Sequence, residues 1–265
     1  MPKTTVASLK KLKQSGEKFA CLTVYDALFA GVLETAGVDV LLVGDSLGMV
    51  IQGHESTLPV TVDNIIYHTQ AVRRGAKESL IMADMPFMSY SNEYQAVENA
   101  GRMLKEGGAQ IVKLEGGAAF IPVIEKLANY GIPVCGHLGL MPQSVNKLGG
   151  YKIQGRDESS AHAILNDAVS LEKAGCDIML LECVPAELAK QVTEALQIPV
   201  IGIGAGPYCD AQVLVLQDML GVTPGKRPRF THDFLAGSGS IAKAVESYVR
   251  AVKTGDFPTL DHSFT

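Results

Sequence analysis

The sequence predicts an α/β protein built as a single (β/α)8 barrel with an extra N-terminal helix. Apolar runs alternate with helical patterns along most of the 265 residues, and eight such strands in about 250 residues match the strand count of this barrel. The runs are rich in Val, Leu and Ile without polar alternation, which is typical of parallel strands buried on both faces. An open, doubly wound sheet is the alternative, but the strand count and the missing G-x-G-x-x-G fingerprint in the first turn argue against it.

The first predicted element is a helix over residues 4–14, which would cap the bottom of the barrel. The predicted strands are 18–24, 40–45, 80–84, 111–115, 133–137, 178–182, 198–203 and 211–216, and the last of these could also be helical. The predicted helices between and after them are 26–36, 62–75, 93–107, 119–130, 158–174, 186–196 and 238–253. Glycines directly after several of these helices match the left-handed C-cap position.

Composition predicts one domain over residues 1–265, because the chain contains no linker, repeat or low-complexity tract and a single core extends to roughly 250–300 residues. The net charge of -5 argues against nucleic acid or an anionic membrane as a partner, although a small anion needs only local positive charge. The N-terminus lacks the apolar core of a signal peptide, and no uncharged apolar stretch approaches the roughly 18 residues of a membrane span. Five scattered cysteines without a C-x-x-C pair are typical of reduced core residues, so we expect a cytoplasmic protein.

Four apolar runs end in a carboxylate, at Asp45, Asp84, Glu115 and Glu182. In a barrel, the C-terminal ends of the strands and the loops that follow them build the active site. Each carboxylate taken alone could cap the next helix, but capping does not explain why all four follow a buried run. Unpaired acids meeting at one mouth would repel one another, and a hard cation bound by oxygen ligands relieves that repulsion. The pattern therefore predicts an enzyme with a divalent metal.

Other residues near the strand ends are candidates with open alternatives. Lys113 lies two residues before Glu115, so both share a face and could balance charge if that face points inward. The turn after the second strand, with Ser46, could hold a substrate carboxylate or be an ordinary Ser/Gly turn. His137 could donate to a substrate oxygen or be a satisfied core histidine.

Several loops are also candidates. Residues 49–61, which include His54, and residues 138–156 form loops long enough to act as lids or binding loops, although a structural role for His54 is as plausible. The glycine-rich stretch 202–206 could bind phosphate, permit close packing or leave room for a bulky second substrate.

Longer motifs give the chain a family resemblance. These are Val43-Gly-Asp-Ser-Leu-Gly48, Gly53-His-Glu-Ser-Thr-Leu-Pro59, Ala83-Asp-Met-Pro-Phe-Met88, Val112-Lys-Leu-Glu-Gly116, Val134-Cys-Gly-His-Leu-Gly139, Leu181-Glu-Cys-Val-Pro185 and Gly202-Ile-Gly-Ala-Gly206. With them the sequence resembles the ketopantoate hydroxymethyltransferases from about Thr4 to His262.

The resemblance implies transfer of a hydroxymethyl group from the co-substrate 5,10-methylenetetrahydrofolate to 3-methyl-2-oxobutanoate. The product is 2-dehydropantoate, early in pantothenate biosynthesis, and the reaction passes through a Mg²⁺-stabilised enolate. The resemblance also implies one Mg²⁺ per subunit held by Asp45 and Asp84, with Glu115 next to the metal directly or through water. Asp45, Ser46, Asp84 and Lys113 would contact the keto acid, Glu182 would be the base, and the assembly would be a homodecamer.

Two other hypotheses remain at this point. One is another metal-dependent barrel acting on keto acids, such as a relative of phosphoenolpyruvate mutase or of the lyases that share its fold; its phosphate-binding cluster or reactive loop cysteine cannot be placed in this sequence. The other is a non-catalytic binding or scaffold barrel, which predicts no Mg²⁺ dependence.

Overall fold

In the part of the chain that the structure describes, residues 3–150, 152–225 and 227–265, eight parallel strands close into a barrel in chain order. The structure is a computed structural model. The strands are β1 Phe19–Thr23, β2 Val40–Val43, β3 Leu80–Asp84, β4 Ile111–Glu115, β5 Val134–Gly139, β6 Ile178–Glu182, β7 Val200–Ile203 and β8 Ala211–Leu214. Each pairs with the next in the chain, and β8 closes the barrel on β1 through pairs such as Phe19 with Ala211. The predicted fold is confirmed.

Helices surround the barrel and lie at its ends. They are α1 Val6–Ser15, α2 Ala27–Thr35, α3 Leu47–Val50, α4 Val62–Gly75, α5 Glu93–Arg102, α6 Ile121–Asn129, α7 Val145–Leu148, α8 Glu158–Ala174, α9 Ala186–Ala195, α10 Leu216–Met219 and α11 Ile241–Thr254. Short 3-10 turns occur at Ala118–Phe120, Pro142–Ser144 and Leu260–His262. Side-chain caps from Thr5, Asp26, Thr61, Asn92, Asp157 and Ser240 begin the longer helices by accepting from backbone N–H groups in the first turn.

Two apolar layers form the core. The inner layer fills the barrel with alternate strand residues such as Phe19, Leu42 and Met82, and the outer layer packs the other face of each strand against the helices. The N-terminal helix α1 closes the bottom of the barrel, because its fully buried Leu9 belongs to the inner layer. This confirms the capping role predicted for that helix.

Several predicted boundaries shift for local reasons. β7 begins at Val200 rather than 198, and β5 begins at Val134 rather than 133, because the prolines just before them have no N–H for the sheet. β5 also runs on to Gly139, which pairs with Glu182. The helix predicted over 93–107 is α-helical to Arg102 and ends in one π-helical turn over Met103–Gly107.

The strands that pair with the eighth segment show that it is a strand. Residues Ala211–Leu214 pair with β1 and β7, so the helical alternative is wrong there, and the helix begins only at Leu216. β2 ends at Val43, two residues before Asp45, because the Asp45 N–H donates to a carboxylate instead of continuing the sheet.

All five cysteines are free and buried, as predicted. Burial raises the pKa of their thiols, which keeps them in the neutral, unreactive form. Across the described residues, the structure contains no helix with the length and apolar character that a bilayer crossing requires.

Candidate active site

Three strands deliver acidic side chains to the interior of the barrel mouth. Asp84, Glu115 and Glu182 are the last residues of β3, β4 and β6, and they stand two or four positions after inner-layer residues of the same strands. Because strand side chains alternate between faces, all three share the inward orientation of that layer. The same alternation points the side chain of Lys113 inward. Lys113 and Glu115 therefore share an inward face, as their predicted charge balance requires.

The predicted residues meet around one cavity of about 100 Å³ at the C-terminal end of the barrel. It is lined by Thr23, Leu42, Gly44, Asp45, Ser46, Asp84, Lys113, Glu115, His137, Pro142, Leu180, Glu182, Ile203, Val213, Leu214 and Val215. Every residue predicted to bind substrate or metal, and the predicted base, is in this set. His54 is not, because it lies exposed in the loop after α3, where its backbone N–H donates to Gly48.

Asp45 and Asp84 are in direct contact. The backbone N–H of Asp45 donates to Asp84 Oδ2 at 2.9 Å, and Lys113 Nζ lies 2.7 Å from Asp84 Oδ1. Gly44 permits this approach, since a Cβ there would stand 3.4 Å from Asp84 Oδ2 and 2.9 Å from Ser46 Oγ. The two aspartates therefore lie at the same end of the barrel and within reach of a common ligand.

Charge in this group is only partly balanced. Burial, and then the negative charges of Asp84 and Glu115, hold the pKa of Asp45 well above its usual range. Burial also raises the pKa of Asp84 by more than the Lys113 charge lowers it. Burial would lower the pKa of Lys113, but Asp84, Glu115 and Asp45 together raise it. One ammonium group thus faces three buried carboxylates.

His137 lies between the other two acids. Its Nδ1 is 3.5 Å from Glu115 Oε1 and its Nε2 is 3.3 Å from Glu182 Oε2. Burial and the Lys113 charge would lower the pKa of His137, but interactions with Glu115 and Glu182 outweigh them and raise it to about 9. Burial would raise the pKa of Glu115, yet His137 and Lys113 bring it below its usual value. His137 therefore contacts two predicted site residues, as a satisfied buried histidine does, and its contact with a substrate oxygen stays a prediction.

Glu182 is the most accessible of these acids. Its side chain is 16% exposed, against 3% for Asp84 and Glu115. Gly139 on the neighbouring strand lets Glu182 sit there, because a Cβ at Gly139 would collide with the Glu182 carbonyl oxygen. The next residue, Cys183, has a φ of 48°, a left-handed conformation that is strained for a side chain other than glycine.

Ser46 and the glycine-rich stretch have defined contacts. Ser46 Oγ lies 2.7 Å from the hydroxyl of Tyr25, so a substrate group at Ser46 would join an existing polar pair. A Cβ at Gly204 would clash with Phe230, and a Cβ at Gly206 would clash with Ala186. The glycines of 202–206 therefore permit close packing, which was one of the three predicted roles of this stretch.

Sequence reasoning missed Gln143 and Tyr90. Gln143 lies in the long loop after β5 and hydrogen-bonds to Asp45, and Tyr90 hydrogen-bonds to Gln143 and to the backbone of Glu115. Both are buried. For Gln143 the sequence signal was the length of that loop, which did not single out any of its polar residues, and for Tyr90, which follows β3, there was none.

The donor set suits a hard divalent cation, because a buried carboxyl such as Asp45 is neutralised by either a proton or a bound cation. Within the described ranges, no group of three or more His, Cys, Asp or Glu side chains converges closely enough to hold a metal ion. Mg²⁺ commonly takes one or two protein carboxylates and completes its shell with water and substrate. Asp45 and Asp84 match that requirement, and a ligand role for Glu115 stays a prediction.

The sequence is similar to one enzyme family over nearly its whole length. The family described as ketopantoate hydroxymethyltransferase matches residues 3–260. A 3-methyl-2-oxobutanoate hydroxymethyltransferase of Nitrosococcus oceani is 57% identical over 264 residues, covering 100% of each chain. One from Hahella chejuensis is 57% identical over 260 residues, covering 98% of each, and one from Cronobacter sakazakii is 53% identical over 264 residues, covering 100% of each.

Solved structures with similar folds are more distant in sequence. Phosphonopyruvate hydrolase in complex with oxalate and Mg²⁺ aligns with a TM-score of 0.62 at 12% identity, covering 95% of this chain and 88% of that one. A 2,3-dimethylmalate lyase of the PEP mutase/isocitrate lyase superfamily aligns with a TM-score of 0.59 at 16% identity, covering 82% and 80%. At these identities the similarity is one of fold alone.

Proposed function

Because the chain belongs to the ketopantoate hydroxymethyltransferase family, we propose that it transfers a hydroxymethyl group from 5,10-methylenetetrahydrofolate to 3-methyl-2-oxobutanoate. Overall, the keto acid, the methylene carbon and one water give 2-dehydropantoate and tetrahydrofolate. The names of the relatives support the hydroxymethyltransferase activity, while the folate donor, the metal and the enolate route are our proposal. The observation that carries it is the convergence of Asp45, Asp84, Lys113 and Glu182 on one cavity.

The keto acid would bind against Asp45, Ser46, Asp84 and Lys113. Lys113 offsets the charge of the substrate carboxylate, and the Ser46 hydroxyl, already paired with Tyr25, is a hydrogen-bond donor or acceptor for it. The cavity of about 100 Å³ has room for a small keto acid. These contacts orient the C3–H bond of the substrate for proton removal.

Asp45 and Asp84 would hold one Mg²⁺ per subunit, with Glu115 next to it. When bound, this ion supplies Lewis-acid stabilisation of the negative charge that develops on the keto acid oxygens. The chain contributes the carboxylates of Asp45 and Asp84, links the two residues through the Asp45 N–H, and keeps Lys113 on Asp84, which limits the negative charge the site must carry.

Glu182 would take the C3 proton. It is the most exposed of the cavity acids, and the contact of its Oε2 with His137 Nε2 orients the carboxylate from the side of the core. The resulting carbanion attacks the methylene carbon of the folate, so the C–C bond forms as the first of the two C–N bonds breaks, and the proton taken by Glu182 goes to the freed nitrogen. The one water of the overall reaction then replaces the second C–N bond, which supplies the hydroxyl oxygen and leaves the other water proton on the second nitrogen.

A phosphoenolpyruvate mutase-like or lyase-like reaction is less well supported. The solved barrels of that superfamily share the fold at 12–16% identity, whereas the hydroxymethyltransferases share more than half of the sequence.

We also propose a cytoplasmic homodecamer, as the family resemblance implies, with no nucleic acid or membrane partner, and sedimentation tests the assembly.

The decisive experiment measures product from 3-methyl-2-oxobutanoate with and without 5,10-methylenetetrahydrofolate and Mg²⁺. We expect 2-dehydropantoate only when both are present, and Mg²⁺-dependent deuterium exchange at C3 of the keto acid without folate. Turnover that ignores the folate would favour the lyase-like alternative. Absence of both turnover and exchange would leave the non-catalytic barrel.

A further inference from the structure

Gln143 is a buried polar residue in the long loop that follows β5. It occupies the 3-10 turn Pro142–Ser144 between β5 and α7, and only 6% of the residue is exposed. Burying an amide is unfavourable unless its hydrogen-bonding groups are satisfied. The partners of Gln143 therefore indicate what holds this loop against the barrel mouth.

Those partners are the carboxylates of the site and their neighbours. Gln143 Nε2 donates to Asp45 Oδ2 at 2.8 Å and to the Met85 carbonyl at 3.0 Å, which uses both amide hydrogens. Gln143 Oε1 accepts from the Tyr90 hydroxyl at 2.6 Å. The backbone N–H of Gln143 donates to Glu115 Oε2 at 3.0 Å.

The orientation of the amide is unambiguous. The Met85 carbonyl only accepts, so the NH₂ group faces it and Asp45, and the amide oxygen faces Tyr90. One residue therefore engages one oxygen of Asp45 and one oxygen of Glu115 at the same time, from a loop that is 98 residues beyond Asp45 in the chain.

We propose that Gln143 is a positioning residue for the divalent cation, because it fixes which oxygens of Asp45 and Glu115 remain for a ligand. With Oδ2 committed to Gln143, Asp45 keeps Oδ1, which has no hydrogen-bond partner among the described residues. Mg²⁺ requires a nearly ideal octahedral shell, which a carboxylate with one free oxygen fits better than one that rotates or chelates.

The neutral amide explains why glutamine suits this position. A Lys or Arg would hold the carboxylates equally well but would cancel the negative charge that attracts a cation. A Glu would retain the contact with Tyr90 but lose both donors and add another carboxylate to the site. Gln143 orients the acids and leaves their charge unchanged.

The proposal is tested by metal affinity without turnover. Mn²⁺ binding is measured by electron paramagnetic resonance and by calorimetry on the full chain carrying Gln143→Met, which keeps the length of the side chain and removes its hydrogen bonds. We expect the Kd for Mn²⁺ to rise about 10- to 100-fold, as for other residues that orient metal ligands. Gln154→Met is the matched control. Gln154 lies in the same loop, and the hydrogen bond that its side-chain amide donates within the described residues goes to the Lys152 carbonyl, so the Kd of this variant for Mn²⁺ should stay within about twofold of wild type.

Two further measurements separate positioning from a loss of loop structure. Tyr90→Phe removes the donor to Gln143 Oε1 and keeps the ring against Phe120, so we expect a smaller rise of roughly 2- to 10-fold even if Gln143→Met fails to fold. In turnover, Gln143→Met should raise the Mg²⁺ concentration needed for half-activity, while kcat recovers at saturating Mg²⁺. A loosened loop would lower kcat at every Mg²⁺ concentration.

This inference rests on the proposed function only for the metal, and the outcomes are distinguishable. Wild-type Mn²⁺ affinity in Gln143→Met and Tyr90→Phe, a loss of kcat that Mg²⁺ does not restore, or a wild-type chain that binds no Mn²⁺ would overturn the positioning role. A chain whose Mn²⁺ affinity depends on Gln143 but which transfers nothing from methylenetetrahydrofolate would retain the positioning role and reject the proposed reaction.

Discussion

The carboxylates at the two ends of the barrel differ in how their charges are balanced. At the bottom, Asp39, Asp177 and Asp210 each precede a strand, accept a hydrogen bond from the backbone of a neighbouring strand, and pair with a lysine of a helix. Each acid there has its own cation. At the mouth, Asp45, Asp84 and Glu115 share Lys113, and Glu115 and Glu182 share His137.

The lysines at the bottom come from the helices that close it. Lys10 and Lys13 of α1 lie 2.8 Å from Asp177 and Asp210, and Lys253 of α11 lies 2.8 Å from Asp39. These pairs fasten the helices to the strand starts. We therefore expect the matched charges at the bottom to contribute to stability and the unmatched negative charge at the mouth to contribute to binding, which is the usual division between the two faces of such barrels.

The largest effect that would sharpen this contrast is expected for Glu182→Gln. Removing the proposed base should lower transfer and C3 deuterium exchange by about 10²- to 10⁴-fold, while keto acid binding and thermal unfolding stay near wild type. Exchange is followed by NMR in D₂O with Mg²⁺ present. If exchange continued at the wild-type rate, the base would have to be another residue.

The next effect compares the same substitution at the two ends. Asp84→Asn should weaken Mg²⁺-dependent binding of 3-methyl-2-oxobutanoate by about 100-fold or more, since it removes a proposed ligand rather than an outer partner. The fold should persist, because Glu115 and Asp45 still balance Lys113. Calorimetry with and without Mg²⁺ measures this, and unchanged affinity would reject the ligand assignment.

Asp210→Asn is the counterpart at the bottom. It removes the ion pair with Lys13, whose side chain is only 12% exposed, and leaves one oxygen for the Val200 N–H. We expect the free energy of unfolding, measured in urea, to fall by about 1–3 kcal/mol, with kcat and keto acid affinity unchanged. An Asp210→Asn variant that kept its stability but lost activity would contradict the assignment of stability to the bottom of the barrel and of binding to the mouth.

The smallest effect is a pH dependence at the bottom, through Glu34. Burial would raise the pKa of Glu34, but its carboxylate accepts from the backbone N–H groups of Ser79, Lys77 and Glu78, and the net result is a pKa below the usual value. Since the folded-state pKa is lower than the unfolded one, the stabilisation exists above the unfolded pKa and is lost as pH falls through the folded pKa.

The comparison of wild type with Glu34→Gln in urea tests this. At pH 7 the free energy of unfolding should be higher for wild type than for Glu34→Gln. This difference should be smaller than the one caused by Asp210→Asn, because Glu34 is only partly buried. It should disappear as the pH approaches 3. A gap that stayed constant across this range would show that the charge of Glu34 plays no part.

Much of the fold followed from local patterns. The buried runs that end at Asp84, Glu115 and Glu182 predicted three strands to the residue, because strand content and strand ends depend on neighbours in the chain. The eighth strand stayed ambiguous, since a short apolar run suits a helix or a strand until its pairing partners are known. Prolines and the turn at Gly44 shifted other ends by one or two residues.

The sequence alone therefore determined the barrel, the single mouth and the set of acids at it, because periodicity and strand ends are local properties. Only the tertiary structure decided which atoms meet: the Asp45 N–H with Asp84, His137 between Glu115 and Glu182, and Gln143 across Asp45 and Glu115. These contacts join residues 28 to 98 positions apart, or neighbours on adjacent strands. Their geometry depends on barrel register and loop path, which no local pattern encodes.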